Sequence, residues 1–236
     1  MSSDPSNSRD GSLDQAVSNC PAYDRYELPD GATGALCFDV LRKAGLAPAS
    51  IGSPINPIAS CEPFIGRAFT VKGVADDTIS ADESLLEWTR MLSAAPRHSV
   101  FVLQPGDHAR AYMGELSAHA LTHRQVAASV VDGPCRDTDQ IRALGFPVYC
   151  SGVTPRDVVA AWRPAVFGGA VTIGGSIITC DDLVIGDSDG LCVTNRRNYN
   201  QLVAGLEDAL VSENLVREAI LQGIDPHTAY VRYRKF

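Results

Sequence analysis

Apolar positions along the chain change period several times, and each change predicts an element. Between residues 33 and 44 they recur at helical spacing (Leu36, Cys37, Val40, Leu41), and Gly45 is placed to cap the helix. A Pro/Ser-rich connection over 48–63 leads into residues 68–74, whose β-branched and aromatic content predicts a strand. Ser80 and Glu83 carry the spacing of a capping box, in which each side chain satisfies the other residue's backbone amide. That box launches a helix through Leu85, Leu86, Trp88 and Met91. Residues 100–103 form a short buried strand, stopped by Pro105 and Gly106.

The middle of the chain alternates: helix over 114–123, strand over 128–132, helix over 137–144, strand over 148–150. Strand, crossover helix and strand at this spacing imply parallel pairing with right-handed crossovers. After Pro155 the pattern shifts to short strands over 165–167, 170–173, 176–179, 183–185 and 191–193. Gly and Asp turns separate them, and they are expected to form hairpins that complete the core. A long amphipathic helix follows over 198–222, with Leu202, Leu206, Leu210, Leu215 and Ile220 on or near one face. The expectation is one α/β domain over 29–225, with a flexible N-terminal tail over 1–28 and a C-terminal tail over 226–236.

Composition narrows the function classes. The formal charge is −8 and no basic block interrupts the chain before its last residues, which argues against a nucleic-acid partner. No apolar run is long enough to span a bilayer, and the first ten residues have no apolar core, so neither a membrane nor a secretory signal is expected. Seven scattered cysteines without a Cys-x-x-Cys pair predict reduced, mostly buried thiols in a cytoplasmic protein.

The stretch from Val130 to Asp137 concentrates the candidate chemistry. A β-branched run stops at Gly133 and Pro134, and Arg136 and Asp137 then open a helix. Charged groups are thereby displayed at the carboxyl end of a strand. A carboxylate at a helix start is kept ionised by free amides, which suits Mg²⁺ or Mn²⁺, and the planar fork of Arg136 suits a carboxylate or enolate oxygen. Taken alone, the dipeptide reads more simply as an N-cap aspartate beside a solvent-facing arginine. A second element, Gly114 and Glu115, opens the preceding helix, where glycine allows close approach and free amides bind anions. Consecutive parallel strands place both elements on one edge. His119 and His123 lack a third zinc ligand and read as a solvated or packed pair, and Cys135 reads as a small space-filler. The Gly-x-Ser-x-Gly elbow, the Gly-x-Gly-x-x-Gly fingerprint and the P-loop are all absent.

Met113 to Leu116, Val131 to Asp137, Leu144 to Val148 and Gly152 to Arg156 together resemble, in that order, the RraA-like family. Val171 to Gly175, Asp182 to Val184 and Asp187 to Gly190 look like its continuation. The nearest branch is similar to the 4-hydroxy-4-methyl-2-oxoglutarate/4-carboxy-4-hydroxy-2-oxoadipate aldolases. The resemblance implies an α/β/α sandwich assembled as a homotrimer or homohexamer. It also implies a class II pyruvate aldolase using Mg²⁺ or Mn²⁺ on a small 2-oxo acid, often with oxaloacetate decarboxylase activity. By that analogy Asp137 is the metal ligand, and Arg136 stabilises the pyruvyl enolate. Backbone amides near Gly114, Glu115, Leu116 and Ser117 hold the pyruvyl carboxylate, while Glu115 orients metal-bound water. Glu213 is matched to an acidic residue that a neighbouring subunit's C-terminal helix supplies. Two departures from the family pattern, Pro134-Cys135 and the segment 104–108, bear on pocket shape. Two alternatives stand beside this reading: a regulatory protein that inhibits a ribonuclease by contact, and a related lyase with a repurposed pocket.

Overall fold

The computed structural model describes residues 23–235, so most of the expected N-terminal tail lies outside the described residues. Helix α1 (Gly34–Lys43) begins where the Thr33 side chain accepts from the Leu36 amide, and Gly45 at φ +74° carries the chain away from its end. Strands β1 (Ala49–Ile51), β2 (Asn56–Pro57) and β3 (Phe64–Ala75) follow. Helix α2 (Ala81–Ala94) starts with the complete capping box, the Glu83 amide donating to Ser80 Oγ and the Ser80 amide to Glu83 Oε2. The alternating region then runs β4 (Ser99–Gln104), α3 (Glu115–His123), β5 (Ala128–Val131), β6 (Pro134–Cys135), α4 (Thr138–Leu144), β7 (Val148–Cys150) and β8 (Gly152–Val153). The later strands are β9 (Trp162–Phe167), β10 (Val171–Ile173), β11 (Ser176–Ile178), β12 (Asp182–Asp187) and β13 (Gly190–Asn195), followed by α5 (Tyr199–Leu221) and α6 (Pro226–Tyr233).

The main sheet runs β1-β13-β12-β3-β4-β5-β7-β2, with β9 added beside β3. Strands β3, β4, β5 and β7 are parallel, as their crossover helices require. The later strands pair antiparallel, β10 with β11 and β12 with β13 as hairpins. Strand β9 is not part of a hairpin. It pairs with the second half of β3, where the register shifts between Lys72 and Gly73. The Trp162 ring lies so close to Gly73 that a Cβ there would fall 1.8 Å from it. Only glycine leaves room for that ring against the backbone.

Residue parity shows how the layers close. Phe69, Val71, Phe101, Leu103 and Val131 point to one face, against α2, α3 and α4. Ile65, Leu183 and Ile185 point the same way further along, against α1 and α5. Ala68, Val100, Val102 and Val130 point to the opposite face and pack with Val171, Ile173 and Ile178 of the β10–β11 hairpin. The mixed α/β fold is thus a curled sheet whose inner face is closed by a hairpin and whose outer face carries the helices.

Both expected tails are structured where they are described. Tyr23 donates to the Ala68 carbonyl at 3.1 Å, and the Tyr26 ring stacks edge-on against Tyr199. Beyond Gly223, Asp225 accepts from the Thr228 amide and Pro226 opens α6, which packs on α5. Pro226 occupies the first helical turn, where its missing N–H costs nothing.

Candidate active site

Three connections are laced together at the carboxyl edge of the parallel strands. The Tyr112 amide donates to the Pro134 carbonyl, the Arg136 amide to Met113, the Ala111 amide to Arg156, and the Thr154 amide to Cys135. Short strands β6 and β8 pair in parallel beside them. This frame holds residues 111–117, 134–137 and 152–157 around a cleft of about 220 Å³.

Within the frame, Asp137 adopts a left-handed backbone (φ 55°, ψ 40°) and makes no side-chain cap to its own helix α4. A non-glycine residue in that region is uncommon and marks a conformation imposed by its surroundings. Here it turns the carboxylate towards the start of α3, where Oδ2 accepts from the Glu115 amide at 3.1 Å. Asp137 holds the N-cap position of α4, but its carboxylate serves α3 instead of its own helix. Gly114, the N-cap of α3, makes the approach feasible. A Cβ on it would lie 2.8 Å from Asp137 Oδ2 and 3.2 Å from Arg136 Nε.

Arg136 lies between two carboxylates, with Nε 3.6 Å from Asp137 Oδ2 and Nη1 3.4 Å from Asp157 Oδ2. All three side chains are 39–47% exposed and line the cleft. Glu115 also lines it, with Oε1 3.9 Å from His119 Nε2. Ser117 Oγ is turned inward, accepting from Trp88 Nε1 at 3.0 Å, so the helix start offers amides rather than this hydroxyl. Leu116, beside it, is 82% exposed and lines the cleft.

The structure brings Gly114, Glu115, Leu116, Ser117, Arg136 and Asp137 to one cleft. Glu213 is not among them within this chain. It lies on α5, paired with Lys235 Nζ at 3.1 Å and facing Arg217. Sequence reasoning missed Asp157 and Trp88 as cleft residues. Asp157 directly follows the Gly152–Arg156 segment already singled out, and that adjacency was the available signal. Trp88 gave none, because it sits on the apolar face of a helix.

Among the described residues, no group of three or more His, Cys, Asp or Glu side chains could hold a metal. The donor chemistry at Asp137 is nonetheless that of a hard-cation site. Asp137 is a half-exposed carboxylate, Glu115 lines the same cleft from another helix, and Mg²⁺ characteristically takes few protein ligands and keeps its waters. Cys135 faces away from the cleft into the core, its sulfur 3.2 Å from that of Cys150. The Cys150 thiol and burial push the Cys135 thiol well up, as befits a packed residue rather than a nucleophile.

Comparison with known proteins finds relatives over most of the chain. A putative 4-hydroxy-4-methyl-2-oxoglutarate aldolase of Halalkalibacterium halodurans is 25% identical over 185 residues, 77% of this chain and 83% of that protein. A crystal structure of an uncharacterized protein from Pseudomonas syringae pv. tomato superposes with a TM-score of 0.70 at 20% identity, covering 92% of this chain and 96% of its own. RraAS2 of Streptomyces coelicolor, an unusual member of the RNase ES inhibitor RraA protein family, superposes with a TM-score of 0.66 at 24% identity, covering 81% and 98%. The two structures establish the shared fold. The family description "RraA-like: Aldolase/RraA" matches residues 34–193, the span that contains every cleft residue and all but the end of the last strand of the sheet, and the chain belongs to the RraA-like family.

Proposed function

We propose that this chain is a divalent-metal-dependent (class II) pyruvate aldolase that cleaves a small 4-hydroxy-2-oxo acid, with oxaloacetate decarboxylation at the same site. The observation that carries this reading is the Asp137 carboxylate. Its left-handed backbone turns it off its own helix and into a cleft beside Arg136 and the free amides of α3. Asp137 is the residue that would hold Mg²⁺ or Mn²⁺, which when bound supplies a Lewis acid for charge developing on the 2-oxo oxygen.

The chain's own residues divide the remaining work. The amides at the start of α3, through Ser117, receive the pyruvyl carboxylate. Glu115 orients a water that takes the 4-hydroxyl proton. As that proton leaves, the C3–C4 bond breaks and its electron pair passes to the pyruvyl half. Arg136 meets the resulting negative oxygen with a charged donor. Reprotonation at C3 gives pyruvate and a carbonyl fragment.

Glu213 of another copy is the acidic group assigned to complete the cleft in a homotrimer or homohexamer. The exposed Val211, Leu215 and Leu221 on the same helix support that placement. Among the described residues no helix is long and apolar enough to cross a membrane, and the scattered thiols fit a cytoplasmic site of action.

The test is pyruvate release coupled to lactate dehydrogenase. Release should require Mg²⁺ or Mn²⁺, stop on chelation, and be lost in Asp137→Asn. Absence of metal-dependent pyruvate from both 4-hydroxy-2-oxo acids and oxaloacetate would overturn the proposal.

A further inference from the structure

Cys135 and Cys150 take no part in the reaction proposed above, yet they meet each other. Their sulfurs lie 3.2 Å apart, and a disulfide needs about 2.05 Å, so about one ångström of closure would join them. The flanking backbones are already tied, the Ser151 amide donating to the Gly133 carbonyl and the Thr154 amide to that of Cys135. Cys135 is wholly buried, whereas Cys150 keeps 5% exposure beside the exposed Gly152 and Val153, so a small solute meets Cys150 first. The Cys135 thiol beside it, opposed by burial, holds the Cys150 thiol below its ordinary value, which favours the nucleophilic thiolate. Cys37 and Cys192, in the core under α1 and α5, are instead pushed up to about 12, chiefly by burial.

Arg136 and Asp137 follow Cys135 directly. The chain has little slack there, because the Pro134 carbonyl accepts from the Tyr112 amide and the Arg136 amide donates to Met113. Drawing Cys135 towards Cys150 pulls against both bonds. A crosslink would also close the segment 135–150, which carries Arg136, Asp137 and the whole of α4.

We infer that Cys135 and Cys150 are a redox-sensitive pair whose disulfide switches the cleft off by displacing Arg136 and Asp137. The loss of activity rests on the aldolase reading; the crosslink and the displacement do not. The oxidant is a hydroperoxide. The Cys150 sulfur attacks one peroxide oxygen, the O–O bond breaks, and the departing oxygen takes the thiol proton, leaving a sulfenic acid. The Cys135 sulfur, already in contact, then bonds to Cys150 Sγ; the S–O bond breaks and hydroxide leaves with the Cys135 proton as water. Two thiols lose two electrons and one hydroperoxide is reduced. A thiol reductant reverses the bond.

The test treats the full chain with a small excess of hydrogen peroxide and maps its unreduced peptides by mass. A crosslink between Cys135 and Cys150 should form, be lost on dithiothreitol, and be absent from Cys135→Ala and Cys150→Ala. In the oxidised protein, amide exchange over 111–117 and 134–137 should rise about tenfold or more. Metal-dependent pyruvate release should fall about tenfold or more, and both should return on reduction. The two alanine variants should keep their exchange and release under the same treatment. No crosslink, a different cysteine pair, or Cys150 stopped at a sulfinic acid would overturn the switch. So would a crosslink that leaves exchange or pyruvate release unchanged, or equal inhibition of the variants. A reversible crosslink that raises exchange, with no pyruvate even from the reduced protein, would uphold the thiol pair and sink the aldolase reading alone.

Discussion

Helix α1 and helix α3 each receive a carboxylate at their first amide, from Asp187 and from Asp137. Gly34 donates to Asp187 Oδ2 at 2.7 Å, and Glu115 donates to Asp137 Oδ2 at 3.1 Å. In both, a glycine at the helix start lets the carboxylate come close. The difference lies in what surrounds the acid. Asp187 is 7% exposed and its other oxygen accepts from the Asp189 amide, so it is spent on the fold. The Asp137 side chain is 39% exposed, shares its cleft with Arg136 and Glu115, and sits on a left-handed backbone. One long-range cap is a structural tie, and the other leaves its carboxylate displayed in the cleft, where we propose that it holds a metal. A helix start that borrows its cap from another strand end can serve either purpose, and burial decides which.

The sharpest way to break this comparison is to remove each acid. Asp137→Asn should lower metal-dependent pyruvate release by about 10³-fold or more, yet leave stability within about 0.5 kcal/mol, since asparagine tolerates the left-handed backbone and keeps a half-exposed oxygen for the Glu115 amide. Equal losses of stability in the two variants would erase the distinction. Asp187→Ala should cost about 2 kcal/mol in urea unfolding, because a buried and a part-buried amide lose a charged acceptor. Gly114→Ala comes next. Its Cβ would displace Asp137 Oδ2, and a misplaced ligand should reduce turnover by about tenfold to a hundredfold with little change in the unfolding midpoint. Ser80→Ala removes a cap made wholly within its own helix. It should cost about 1 kcal/mol and leave pyruvate release per folded molecule unchanged.

The smallest effect concerns Asp76, an acid used only structurally, at the surface. Hydrogen bonds from Thr78 and Arg163 hold its carboxyl down to about 2, from an ordinary 3.8. A depressed carboxyl contributes stability that is present above its unfolded value and lost as pH falls through its folded one. The urea midpoint of Asp76→Asn should therefore lie below that of the unmodified chain at pH 7. The gap should hold down to about pH 4 and close towards pH 2.

Local signals in this chain were legible because they act over three or four residues. Thr33 and Ser80 cap their helices, Gly45 ends α1, and the alternation of β4, α3, β5, α4 and β7 follows from periodicity alone. The misreadings have equally local causes. Residues 226–236 were read as a tail although Pro226 opens a helix, and β9 was taken for a hairpin strand when the length of β3 gave it another partner. Arg136, Asp137, Gly114 and Glu115 were legible as candidates, since strand ends followed by helix starts are visible in sequence. Asp157 was not, because its value depends on a loop folding back over Arg136 across 21 residues.

The sequence by itself determined the α/β class, the helix caps, the parallel core strands and the edge on which the charged residues would appear. Only the tertiary structure decided which way Asp137 faces. Its side chain could cap α4 on the local rules alone, and the dipeptide favours that reading. Hydrogen bonds from residues 112, 136 and 154 to 134, 113 and 135 fix the backbone instead, and they exist only once β5 and β7 lie in parallel register beside β4. Short-range side-chain bonds are encoded where they occur. The direction of a carboxylate at a strand end is set by the backbone that distant segments impose on it.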